Sequence, residues 1–261
     1  MLLHRFHFKV EDLAKLPEPE RVFAVLLGHI SNEINILQKL IMMAHDLDDD
    51  PEPAEIQGRT AQTMCLLRVL VGKLNEAHVT IKRRYLDTDM HAKMKDQFDD
   101  VTLKALDKFD RYFAQPSNNM NVLRKKISFH NDWEFARQNV GSIPDDADLF
   151  IYTDETVGNT FFQFADLGIA LIMSNSADPG DFTGGLGKAT DEALELAGLG
   201  KITDEAIELA RCVLRFSSAC LGIMISRHIK LTQDQVEVHS ACKLGDVRIP
   251  FFMVPVRGSP G

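Results

Sequence analysis

The stretch richest in chemistry is Leu123-Arg124-Lys125-Lys126-Ile127-Ser128-Phe129-His130-Asn131-Asp132, where an arginine stands six residues before a histidine. An imidazole exchanges a proton near neutral pH, and a guanidinium holds negative charge as it develops on a phosphate. Held together in one cleft, the two suffice for phosphodiester chemistry without a metal. On a regular helix, six residues turn Arg124 and His130 about 120° apart, so both side chains must reach around into a shared cleft. Lys126, four residues before His130, shares its face more closely. The plainer reading is a helix end, where lysines and a histidine complement the macrodipole and Asn131-Asp132-Trp133-Glu134 opens the next helix as a capping box.

A second basic run, Lys82-Arg83-Arg84, closes the second long amphipathic segment. In an up-down bundle, the second and fourth helices run the same way. The expectation is therefore a local positive patch of Lys82, Arg83, Arg84 and Lys126 beside the Arg/His pair, of the kind that holds an RNA backbone. Against it stands a solvated charged helix end. Other chemistry is thin. Asp46, Asp48, Asp49, Asp50 and Glu52 lack the glycine and closing glutamate of a calcium loop. Gly184-Gly185-Leu186-Gly187-Lys188 has Phe182 where a phosphate loop needs glycine and Ala189 where it needs Ser or Thr. His4 and His7 have no accompanying ligand cluster. No metal and no cofactor are expected.

These residues must be positioned by helices. The first runs from about Pro19 to Asp46 with the stripe Phe23, Leu27, Ile30, Ile34, Leu37, Ile41, Ala44. Its alternating steps of four and three are those of packed helices. A second, about Glu55 to Tyr85, repeats the spacing through Met64, Leu67, Leu70, Leu74, Ala77 and Ile81. A third is predicted from His91 to Ala114, its stripe Met94, Phe98, Val101, Ala105, Phe109 and Phe113. Pro116-Ser117-Asn118-Asn119 breaks it, and a fourth from Asn121 to His130 carries the Arg/His pair. Short connections between such helices make an antiparallel up-down bundle.

After Gly141 the pattern changes. Residues 149–153 and 159–164 read as a hairpin, and 165–175 as a short helix. Thr190–Ala197 and Thr203–Ala210 are near-copies with N-capping threonines, the second continuing as a long buried helix to about His228. Val247–Val254 reads as a closing strand, with Pro250 placing it at an edge. Residues 2–10 read as a strand or extended arm running into a short helix at 10–16. The fold class is therefore mainly α: an N-terminal antiparallel bundle over 1–140 and a smaller α+β part over 141–261 packed on it, the two forming two domains or one continuous one.

The formal charge of −9 excludes nucleic-acid or membrane binding over the whole surface and leaves only a local patch for RNA. The composition, 45% hydrophobic and 26% charged, is that of a globular chain. Four cysteines (Cys65, Cys212, Cys220, Cys242) show no metal-ligand spacing and read as reduced thiols of a cytoplasmic protein, Cys212 and Cys220 in the core. His4, Arg5 and His7 interrupt the N-terminal apolar run, which is not that of a signal peptide. The longest apolar stretch is broken by His29, Asn32 and Glu33, so no membrane span and no membrane partner are expected.

Arg124-x5-His130, following three bundle-forming helices, resembles the Arg-x4–6-His signature of the HEPN superfamily over about residues 19–140. The resemblance implies a four-helix bundle that dimerises so that two motifs share one cleft. In catalytic members that cleft cuts RNA without a metal, by attack of the neighbouring 2′-OH on phosphorus. It implies His130 as general acid or base and Arg124 as the holder of the scissile phosphate. A polar residue, often Asn, commonly follows the family arginine; here Lys125 stands there. The expected function is a metal-independent endoribonuclease acting as a homodimer on RNA. Its alternatives are a non-catalytic helical scaffold with protein partners, or a binder of small ligands or nucleotides whose pocket is lined by Phe150, Tyr152 and Phe162.

Overall fold

The computed structural model describes residues 2–45, 51–125, 137, 148–154, 159–166, 168–169, 200–238, 242 and 246–253. The chain is mainly helical. The described elements are β1 (Leu2–His7), α1 (Val10–Leu13), α2 (Glu18–His45), α3 (Pro53–Ile81), α4 (Asp89–Met94), α5 (Asp100–Ala114), α6 (Asn119–Leu123), α7 (Gly200–His228) and β2 (Thr232–Glu237). A π-helical turn, Lys82–Leu86, follows α3, and a 3₁₀ turn, Lys95–Gln97, follows α4. The residues group into two compact units. The first takes 1–36, 73–115 and 208–246, and the second takes 37–72, 116–207 and 247–261. The domain boundary expected at 140–141 lies outside the described residues.

The apolar stripes set which helix faces are buried. Phe23, Leu27, Ile30, Ile34, Ile41 and Ala44 of α2 are buried, as are Met64, Leu67, Leu70, Leu74, Ala77 and Ile81. At the start of α3, the Glu52 N–H donates to Glu55 Oε2 at 3.2 Å, satisfying a donor that the first turn leaves open. Along α7, Ile202, Ala206, Leu209, Val213, Phe216, Cys220 and Met224 are buried in steps of three and four. Among the described residues this helix alone is long and apolar enough to cross a membrane, by length and composition. Its other face exposes Asp204, Glu208, Arg211 and Arg215, the pattern of a helix packed on one side rather than one apolar all round.

The predicted third helix is two helices. Phe98 is extended, and Asp99 caps a new helix by accepting from the Thr102 N–H at 2.6 Å. The restart resets the phase. Thr102, Leu106, Phe109 and Phe113 are buried, whereas Val101, placed in the stripe by an unbroken count, is 56% exposed. The helix before α6 ends as expected, since Asn118 caps α6 and accepts from the Asn121 N–H at 2.8 Å.

In the first unit, β1 and β2 form a two-stranded antiparallel sheet in which Leu2 faces Glu237 and His7 faces Thr232. The strand that pairs with β1 is thus Thr232–Glu237, which the sequence pattern did not indicate, and not the expected Val247–Val254. The described part of the Val247–Val254 run forms no ladder. Pro250 lacks an N–H to give one, and Phe251 turns onto Gly58. In the second unit the predicted hairpin contracts to one antiparallel bridge, Tyr152 with Phe161, closed by two 2.8 Å backbone hydrogen bonds. The reason is visible at Gln163. It begins a helical turn, and its side chain accepts the Phe150 N–H that a longer ladder would have used. Phe161 packs edge-on to Phe251, and the Tyr152 hydroxyl donates to Gln57 Oε1 at 2.9 Å.

Two helical glycines separate propensity from packing. A Cβ at Gly58 would lie 2.7 Å from the Phe251 ring, while one at Gly222 would meet nothing within 4 Å. Alanine in a helix gains about 1 kcal/mol over glycine, and overpacking costs about 1–3 kcal/mol. Thermal unfolding should therefore show Gly222→Ala raising Tm and Gly58→Ala lowering it.

Candidate functional site

The expected basic run falls on the π-helical turn, and that turn decides what each residue does. Its signature bond runs from the Asp87 N–H to the Lys82 carbonyl at 2.9 Å, five residues back. The turn directs Tyr85 inward, fully buried, and leaves Arg83 and Arg84 exposed. Thr88 then reverses the chain. Its hydroxyl donates to the Tyr85 carbonyl at 2.9 Å and accepts from the Met90 N–H at 3.3 Å, opening α4.

Tyr85 is the centre of an aromatic cluster drawn from four segments. Its ring centroid lies 6.0 Å from Phe23, 5.2 Å from His91, 6.3 Å from Phe98 and 5.0 Å from Phe216. Burial, and then the neighbouring Cys220, push its phenol above the ordinary tyrosine range. Among the described residues neither the Tyr85 hydroxyl nor His91 Nδ1 has a hydrogen-bond partner. Burial, reinforced by Lys95, lowers the His91 pKa below that of a free imidazole. Beside this cluster Glu20 is buried and meets His228 Nε2 at 3.2 Å, joining the start of α2 to the end of α7.

Arg83 and Arg84 stand on a groove of about 750 Å³ within the first unit. One wall is the start of α2, with Glu18, Glu20, Val22, Phe23 and Leu26. The other is the π-turn and α4, with Arg83, Arg84, Thr88, Asp89, Met90 and Lys93. Val22 and Leu26 are exposed, so the wall facing the arginines presents apolar side chains to solvent beside Glu18 and the buried Glu20. None of the ion pairs among the described residues involves Arg83, Arg84 or Lys93. Lys82 is turned elsewhere, 3.7 Å from Asp87 and 3.7 Å from Asp110. Asp110 also holds His78 at 3.0 Å, and the His78 ring stacks on Phe113.

Arg124 belongs to the second unit, half-buried at the C-terminal end of α6 with helical backbone angles. Lys126 and His130 lie outside the described residues, as do Asp46, Asp48, Asp49, Asp50, Gly184 to Lys188 and the first of the two near-copies. The proposed aromatic lining of a ligand pocket also falls in the second unit. Phe150 stacks on Tyr152 at 6.0 Å, and Phe150 and Phe162 are both exposed. Among the described residues no three His, Cys, Asp or Glu side chains gather as a metal site. Sequence reasoning named Arg83 and Arg84 but missed Glu20, Lys93, His91 and His228. The apolar step from Ile81 to Tyr85 was the available signal that the turn buries one residue and exposes the two before it. Comparison of the chain with protein-family models, curated proteins and solved structures finds no match.

The orphaned groups of the aromatic cluster make a stability test. A buried hydroxyl without a partner costs about 1–3 kcal/mol, so Tyr85→Phe should raise Tm at every pH. His91 behaves differently. Its folded pKa lies below its unfolded one, so the unfolded chain binds more protons and stability falls as pH drops through about 6.5. Thermal melts from pH 8 to pH 5 should show His91→Phe flattening part of that acid loss, which Tyr85→Phe leaves in place.

Proposed function

We propose that this protein binds a ribonucleotide unit, free or within RNA, in the groove between the start of α2 and the π-turn. The observation that carries the reading is the set of three cations, Arg83, Arg84 and Lys93, without ion-pair partners among the described residues, on a groove that also presents Val22 and Leu26 to solvent. Phosphate suits the arginines, which offer paired N–H donors in a fixed plane. A base has an apolar face that Val22, Leu26 and Met90 would cover. Glu18 and Asp89, which also line the groove, suit the ribose hydroxyls as acceptors, and the 2′-OH is what separates RNA from DNA. The acids also account for how an acidic chain would select a nucleotide over bare phosphate. A cytoplasmic setting belongs to the same reading, in keeping with the four free cysteines.

Calorimetric titration with a ribonucleoside triphosphate and with a short single-stranded RNA tests this. Arg83→Ala combined with Arg84→Ala should weaken binding by tenfold or more, a loss of at least about 1.4 kcal/mol. Arg111→Ala, on α5 and paired with Asp107, should leave binding unchanged. A salt dependence that becomes shallower in the double variant would identify phosphate contacts. Equal affinity for DNA and RNA would exclude the ribose contacts.

Catalysis is the second reading, favoured by the half-buried setting of Arg124 at a helix end, six residues before His130. In it, the imidazole of His130 takes the proton of a 2′-OH as that oxygen attacks phosphorus, or returns a proton to the departing 5′-oxygen. Arg124 holds the non-bridging oxygens as charge builds on them. The P–O5′ bond breaks, leaving a 2′,3′-cyclic phosphate and a 5′-hydroxyl. Cleavage in the presence of EDTA, lost in Arg124→Ala and in His130→Ala while both remain folded, is the expected result. Folded protein that cleaves no RNA leaves binding alone as the activity.

A further inference from the structure

The β1–β2 ribbon is an open structure. Both strands are six residues long, and every residue of β1 is exposed. Leu2 is 56% exposed and Phe6 52%, and Leu3, Phe8 and Val10 are exposed beside them. A lone two-stranded ribbon is marginal in water, and three or more strands or a covered face are needed for lasting stability. This one is costlier than a hairpin, since its strands are some 229 residues apart in the chain and closing so long a loop adds entropy. Among the described residues no further strand pairs with the outer edge of β1, and natural proteins keep such edges from pairing with charges or proline. β1 has neither defence. Its cation, Arg5, is neutralised within the ribbon by Asp234, at 3.1 Å from Nε and 2.6 Å from Nη2. The outer edge of β2 carries acids and amides instead (Thr232-Gln233-Asp234-Gln235-Val236-Glu237).

We propose that β1 pairs with β1 of a second copy of this chain, making a four-stranded antiparallel sheet about a two-fold axis at His4. The inference is independent of the nucleotide groove. A two-fold axis normal to a sheet preserves its faces, so opposed residues must share parity. The register centred on His4 sets His4 opposite His4, Leu2 opposite Phe6, and Leu3 opposite Arg5. Leu2 and Phe6 lie on one face of the ribbon, so this register produces two identical leucine–phenylalanine cross-strand pairs, each of a favourable kind. Two β2 edges meeting about Asp234 would oppose two carboxylates, about Gln235 they would gain no apolar pair, and about Val236 a single valine pair against the two leucine–phenylalanine pairs of β1. Self-complementarity of the apolar residues thus selects β1. Six paired residues make a small contact beside the roughly 800 Å² per partner of a standard interface, so the dimer is a weak one.

Sedimentation equilibrium of the full chain from about 1 to 200 µM should show the mass rising from monomer to dimer. Leu2→Lys combined with Phe6→Lys should hold it at monomer throughout. Residues opposed at the axis have Cβ atoms about 4.5–5.5 Å apart. His4→Cys, with Cys65→Ser and Cys242→Ser to silence the exposed thiols, should therefore oxidise to a covalent dimer. Gln235→Cys in the same background, on the same face but one strand further out, should not. Three results would overturn the proposal: a monomer at 200 µM, a dimer that survives the double lysine variant, or a crosslink through Gln235→Cys but not His4→Cys.

Discussion

The first unit is organised by the burial of one tyrosine ring. Tyr85 touches α2 through Phe23, α4 through His91, the link to α5 through Phe98 and α7 through Phe216. Tyr85 follows Ile81 by four residues, the helical step that keeps both on the buried face while Arg83 and Arg84 stay in water, and the π-helical turn over Lys82–Leu86 carries the chain from there to α4. The cost is a buried hydroxyl without a partner, and an imidazole edge in the same condition. Such a compromise is tolerated because the aromatic contacts around the ring, each worth about 0.5–1.5 kcal/mol beyond area burial, outweigh it.

From that constraint follows the character of the groove. Among its lining residues Phe23 is a core residue and Glu20 is anchored to His228. Its rim is set by what the core does not need: two arginines, a lysine, and the exposed Val22 and Leu26. The charges that would otherwise cancel are spent elsewhere. Asp110 is held by His78 and Lys82, and Glu33 by Lys73 at 2.7 Å. A protein of net charge −9 therefore keeps a small cationic rim where the local acids are engaged or lie in the groove itself. The second unit is built on different terms, with a short aromatic pile of Phe150, Tyr152, Phe161 and Phe251 closing over the glycine at 58. There Asn159 replaces a ladder, bonding Asp154 at 2.8 Å and both backbone groups of Met253 at 2.9 Å.

Amino-acid pattern alone determined the existence of α2, α3 and α7, because a three-and-four apolar step over more than twenty residues admits one element type. It also determined the stop before α6, since Asn118 can cap locally, and the core placement of Cys212 and Cys220. It did not reveal the break at Phe98–Asp99, since the apolar count runs through it and only the cap resets the phase that exposes Val101. Tertiary structure alone decided the partners of β1 and β2, the meeting of Glu20 with His228 and the assembly of a groove from residues 17–26 and 83–93. The physical reason is the same in each case. A helix is fixed by neighbours three and four residues away, whereas strand pairing, buried ion pairs and grooves depend on which distant segments the packing of the core brings together.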